Sequence, residues 1–132
     1  GFGTSGAGRG AKASPYLPGP GRAGILDTRD GRYVLWFTRQ RARVQDRLVF
    51  PEARALAKDQ GSSLYRVQLR RDGHLLGPPS LLRYSGYGDF DQAARVAIEQ
   101  AAPFEPLPSA LAPEQDRLTL LIPVTFENPM VQ

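Results

Sequence analysis

Hydrophobic and polar positions follow two periods along this chain, and each period predicts elements. Over residues 32–49, Tyr33, Phe37, Val44 and Leu48 recur at helical spacing, with Arg39, Gln40, Arg43 and Asp46 mostly elsewhere. Pro51 has no backbone N–H, so it ends this helix and suits the first position of a short second helix over 51–59, stopped by Gly61. Residues 64–71 alternate instead. Tyr65, Val67 and Leu69 fall on one face and Arg66, Gln68 and Arg70 on the other, the mark of a half-buried strand. Asp72-Gly73 predicts a tight hairpin turn, because both residues tolerate positive φ. The returning strand is interrupted by Gly77-Pro78-Pro79 and resumes over 80–84; its prolines assign it to an edge. Asp89, with Gln92 three residues on, predicts a capped helix start. Phe90, Ala94, Ala97, Ile98 and Ala101 form that helix's buried stripe, and Pro103 stops it. In a closing strand over 117–127, Leu118, Leu120, Ile122, Val124 and Phe126 alternate with Thr119, Leu121, Pro123 and Thr125. The expectation is an α+β fold: a three-stranded antiparallel sheet packed against two or three helices. The strand over 64–71 should lie in the middle, and Val67, Leu69, Phe90, Ala94, Ala97, Phe104, Leu120 and Phe126 should be buried.

Residues 1–24 lack either period. Glycines recur there together with Pro15, Pro18 and Pro20, a composition that cannot bury a core. We expect a flexible linker over 1–29 and one domain over 30–132, since 132 residues are too few for two comfortable cores. The stretch Gly1-Phe2-Gly3-Thr4-Ser5-Gly6 matches a dinucleotide-binding pattern only in letters, because no strand precedes it and no helix follows.

Composition narrows the function classes. Seventeen basic residues against thirteen acidic ones give a net charge of +4. That balance permits nucleic acid, anionic lipid or acidic protein as a partner. The arginines are scattered among acids, however, and Tyr65 lies on the face opposite Arg66 and Arg70. Aromatic and basic groups are therefore not interleaved as base stacking needs, and no nucleic acid is expected. The absence of cysteine excludes disulfides and thiolate chemistry. His74, the single histidine, follows a turn with no serine elbow nearby and cannot build a zinc site alone. Asp89 and Asp91 form a close carboxylate pair, but helix-start capping explains Asp89 better. The expectation is a non-enzymatic binding module with no cofactor and no metal.

One combination of motifs is specific. Arg83-Tyr84-Ser85-Gly86, then Phe90-Asp91, Ala93-Ala94, Ala97-Ile98 and Ala101-Ala102-Pro103-Phe104-Glu105-Pro106-Leu107-Pro108, resembles the signature of TonB/TolA C-terminal domains. Gly73 sits where that family's hairpin turn lies, and Phe50-Pro51 is similar to its Tyr-Pro pair. Tyr84 departs from the signature's first serine, and Pro78-Pro79 interrupts its second strand. On this resemblance Pro51, Gly73, Ser85, Gly86, Phe90, Asp91, Ala94, Pro103, Phe104 and Pro106 are motif residues with mainly structural roles.

The resemblance implies a periplasmic domain, anchored to the inner membrane by a preceding segment. It would carry proton-gradient-derived force from inner-membrane motor proteins to an outer-membrane receptor or envelope protein. The partner would add as a strand to the sheet edge, with Arg117, Leu118, Thr119, Leu121, Pro123 and Thr125 as the docking residues. A homodimer is a further assembly it allows. The alternative is an interaction module of a trans-envelope motility or cell-division machine. Residues alone support edge docking to this extent: an open edge is a template for strand addition, and Pro123 leaves a gap in whichever ladder its missing N–H faces. Leu121, off the core face, is the candidate apolar contact.

Overall fold

The computed structural model describes residues 31–111 and 113–131; the expected linker lies outside the described residues. Helix α1 (Gly31–Asp46) and the short helix α2 (Glu52–Leu56) come first. Strand β1 (Gly61–Arg70), strand β2 (Ser80–Arg83), helix α3 (Gly88–Ala101) and strand β3 (Arg117–Phe126) follow. The sheet is antiparallel in the order β2-β1-β3, so β1 is central and the expected α+β architecture forms. β3 pairs with β1 along its whole length, with Gly61 opposite Phe126 and Arg70 opposite Arg117. β2 is short because the excursion through Gly77-Pro78-Pro79 leaves only a Leu69–Leu75 bridge before pairing resumes at Arg66–Ser80.

One core fills the space between the sheet and the helices α1 and α3. The alternating residues of β1 and β3 and the stripe Phe90, Ala94, Ala97, Ile98 and Ala101 all enter it. Phe90 stacks on Phe126 at 4.2 Å between ring centroids, and Phe50 meets both edge-on. α1 buries a wider stripe than Tyr33, Phe37 and Val44 alone, because Trp36 and Gln40 also turn inward. Leu48 lies past the end of α1 and is half-buried. Burial raises the Tyr33 phenol above its ordinary range, and its hydroxyl has no hydrogen-bond partner among the described residues.

Three local expectations change. Pro51 is the cap of α2 rather than its first residue, and the chain turns at Lys58, which takes a φ of 61°, so Gly61 opens β1 instead of stopping a helix. Asp72-Gly73 is not the centre of a two-residue turn. Arg70 N–H bonds the His74 carbonyl at 2.9 Å and Gly73 N–H bonds the Arg70 carbonyl at 2.9 Å, closing a three-residue loop with glycine at positive φ. Asp89 does not cap α3: Tyr87 occupies that position in an extended conformation. Asp89 sits in the first turn, where one oxygen accepts from Phe90 N–H and the other pairs with Arg54 at 3.1 Å.

Candidate functional site

The outer side of β3 is the candidate site, and register decides which of its groups are available. On the β2 side, β1 uses Gln68 C=O, bonded by Leu76 N–H, and Arg70 N–H, bonded to His74 C=O. Antiparallel strands alternate the direction of their polar groups, so Gly61, Ser63, Tyr65, Val67 and Leu69 turn theirs to β3. Their partners Phe126, Val124, Ile122, Leu120 and Leu118 then bond inward. The backbone groups of Arg117, Thr119, Leu121, Pro123 and Thr125 point outward. Thr125 confirms this direction independently, because both its N–H and its C=O bond to the side chain of Gln45 on α1. Among the described residues, no strand pairs with this outer side.

The proposed docking residues therefore separate. Arg117, Thr119 and Leu121 offer both a donor and an acceptor. Pro123 offers its carbonyl only, and its ring is buried opposite Leu64. Thr125 is already engaged by Gln45. Leu118 is buried in the core with its backbone turned to β1, so it is not part of the outer edge. On the face away from the core, Leu121 is half-buried opposite exposed Arg66, and Arg117 is exposed opposite Arg70. Arg70 pairs with Asp72, and the Arg70 hydrogen bond holds the Asp72 carboxyl well below the usual carboxylate range. At the far end of the edge, Arg41, Gln45, Leu48, Phe50, Thr125, Glu127 and Pro129 line an open cleft of about 540 Å³.

The motif residues build the frame behind this edge. Asp91 is buried and accepts from Ser63 Oγ at 2.6 Å and from Ser85 N–H at 3.1 Å, while its backbone carbonyl accepts from the Tyr65 hydroxyl at 2.7 Å. The two carboxylates Asp89 and Asp91 thus serve separate partners. Ser85 Oγ accepts from Tyr87 N–H, and Gly86 takes a φ of 103°, which aims the chain into α3. Gly73 is buried, and a Cβ there would meet the Phe104 carbonyl oxygen at 2.0 Å. Its own carbonyl accepts from Phe104 N–H at 2.8 Å. Ala94 and Phe104 fill the core, while Pro103 and Pro106 are exposed and Pro51 is half-buried.

α1 clamps the segment after α3. Trp36 Nε1–H and Gln40 bond the backbone of Glu105, Arg39 pairs with its carboxylate, and Arg43 donates to the carbonyls of Ala101 and Pro103. The Arg39 hydrogen bond, chiefly, holds the Glu105 carboxyl below its ordinary range. The sequence reading missed Trp36, Gln40, Gln45 and Asn128. Asn128 is a clear case: it is buried and donates to the carbonyls of Arg54, Ala55 and Asp59, closing the end of α2. Nothing in its local sequence marks it.

The family model for the Gram-negative bacterial TonB protein C-terminal matches residues 46–127, more than half of the chain. The chain belongs to this family. Two solution structures of the Helicobacter pylori TonB C-terminal domain match it at 17% identity with a TM-score of 0.57. One match covers 70% of this chain and 80% of that one; the other covers 71% and 95%. These are likenesses of fold. The C-terminal domain of HasB matches at 28% identity over 85% of this chain and 90% of that one, with a TM-score of 0.49. No curated protein sequence matches. The TonB-family match begins at Asp46, the last residue of α1, so the clamp residues Trp36, Arg39, Gln40 and Arg43 all lie outside the matched residues.

Proposed function

We propose that this TonB-family domain is a non-enzymatic gripping module of the periplasm. It takes an extended segment of an outer-membrane receptor or envelope protein as a fourth strand along β3. It then transmits to that segment the pull of proton-driven motor proteins in the inner membrane, reached through an anchored N-terminal part. One observation carries this reading: Arg117, Thr119 and Leu121 present outward donors and acceptors on an edge that no described strand pairs. Each backbone bond formed there contributes about 1 kcal/mol net. A micromolar complex needs about 8 kcal/mol, so side chains such as Leu121 must add to the ladder. The ladder bonds lie across the strand direction, so a load along the added strand shears several at once.

The test is an array of overlapping fifteen-residue peptides covering the periplasm-facing N-terminal segments of outer-membrane receptors from the source bacterium. At least one should bind the domain. Leu121→Asp should keep its melting temperature and weaken that binding by about tenfold or more. Undiminished binding by a folded Leu121→Asp protein would remove β3 as the docking edge.

A further inference from the structure

We propose that Gln45 is the stop of the docking edge, a side chain that stands in for one residue of an added strand and so fixes where the partner's pairing ends. The proposal rests on the β3 reading above and names what sets its register. Gln45 Oε1 accepts from Thr125 N–H at 2.9 Å, and its Nε2 donates to Thr125 C=O at 3.2 Å. A primary amide carries its acceptor and donor side by side, as a residue on a neighbouring strand presents C=O and N–H. Thr125 is therefore closed on its outer side by the protein itself. Two positions earlier, Pro123 removes a donor but leaves its carbonyl. The outer ladder is complete over Arg117, Thr119 and Leu121, weakened at Pro123 and closed at Thr125.

This asymmetry selects a register. A strand keeps its faces only when it slides by two residues. A two-residue slide toward Phe126 would set a partner residue against Pro123 and then against the occupied Thr125, leaving its donors unmet. A slide the other way runs off the end of β3 at Arg117. Gln45 is placed over Thr125 by Val44 beside it, which is buried in the core, and by the two hydrogen bonds its amide makes there. It also lies outside the residues that the family model matches. A partner chain that continues past Pro123 finds Thr125 closed by Gln45, leaves the ladder at that point and meets the cleft formed by Leu48, Phe50 and Pro129.

Amide hydrogen exchange by NMR tests the stop, using the strongest-binding peptide of the receptor array. In the unaltered domain the Thr125 amide should exchange slowly with and without peptide, while Thr119 and Leu121 become protected only with peptide. In Gln45→Ala, and in the shape-keeping Gln45→Met, the Thr125 amide should exchange about tenfold faster in the free domain. With peptide it should be protected again, as pairing advances past Pro123, and a peptide long enough to reach Thr125 should bind several-fold tighter. If Thr119 and Leu121 are protected but Thr125 stays fast in both variants with peptide bound, Pro123 ends the ladder and Gln45 does not. If Thr119 and Leu121 remain unprotected when peptide is bound to the unaltered domain, the β3 docking reading itself falls.

Discussion

Asp91 joins three parts of the chain through one carboxyl group and one carbonyl: β1 at Ser63 and Tyr65, the turn at Ser85, and the first turn of α3. Asp91→Ala would leave the Ser63 hydroxyl and the Ser85 N–H without that acceptor, at a loss of about 3 kcal/mol. Asp91→Asn keeps an acceptor and should lose less. Urea unfolding of the three proteins checks the order, and a loss below about 1 kcal/mol for the alanine variant would contradict it. Gly73→Ala should destabilise by at least about 2 kcal/mol, because the backbone takes a φ of 93° and the new Cβ collides with the Phe104 carbonyl. Glu105 contributes differently. Its carboxyl is held below its ordinary range by Arg39, so this stability is present above that range and is lost as pH falls through the lowered value. The pair is 55% and 37% exposed, so solvent screens it and its contribution is that of a weak surface ion pair. Glu105→Gln should therefore be nearly neutral at pH 7 and should flatten the acid limb of a melting-temperature profile. At this scale the sequence displays Gly73, Ser85 and Asp91 as letters of a motif. Their reasons were not legible, since Asp91 meets Ser63 across 28 positions and Gly73 is confined by Phe104.

Periodicity made the elements readable, and it failed where a polar side chain faces inward. β1, α3 and β3 bury the residues their patterns predict, since sheet alternation and the helical stripe are set by one adjoining core. In α1 the buried Gln40 reads as a surface residue until its partners are seen. Its oxygen accepts from Glu105 N–H, 65 positions away, and its nitrogen donates to Trp36 C=O. Trp36 lies in that same stripe at 1% exposure, with its indole N–H on the Glu105 carbonyl at 3.1 Å. Trp36→Ala should lower stability by about 3–5 kcal/mol, through both the cavity and the orphaned carbonyl. Trp36→Phe should recover the packing part only. Intermediate stability for the phenylalanine variant in urea is the expected order; equality with the unaltered protein would show that the indole hydrogen bond adds nothing.

For the whole molecule, the open edge was partly legible: alternation over 117–126 and the proline at 123 mark β3 as an edge strand. The direction of Pro123's missing donor follows only from the β1 register, and the closure by Gln45 only from the packing of α1 on β3. This leaves the extent of the folding unit to be decided. The family match runs over 46–127 and excludes nearly all of α1, whereas Tyr33, Trp36, Phe37 and Val44 share one core cluster with Ile98, Phe104 and Phe126. We propose that the domain starts near residue 30 and that α1 is part of it. Removing α1 would bare apolar surface worth about 1.5–3 kcal/mol for each large side chain it shields, in a domain whose net stability is on the order of 5–15 kcal/mol. It would also strip the hydrogen bonds from the Ala101 and Pro103 carbonyls, from Glu105 N–H and from the outer side of Thr125. The chain over 47–132, which holds essentially all of the matched residues, should therefore lose cooperative thermal unfolding or melt at least about 15 °C lower than the chain over 30–132. Circular dichroism melts of the two chains decide the point. A cooperative transition for 47–132 at an unchanged temperature would make α1 an accessory, and the clamp on residues 101–105 would then add little to the frame behind β3.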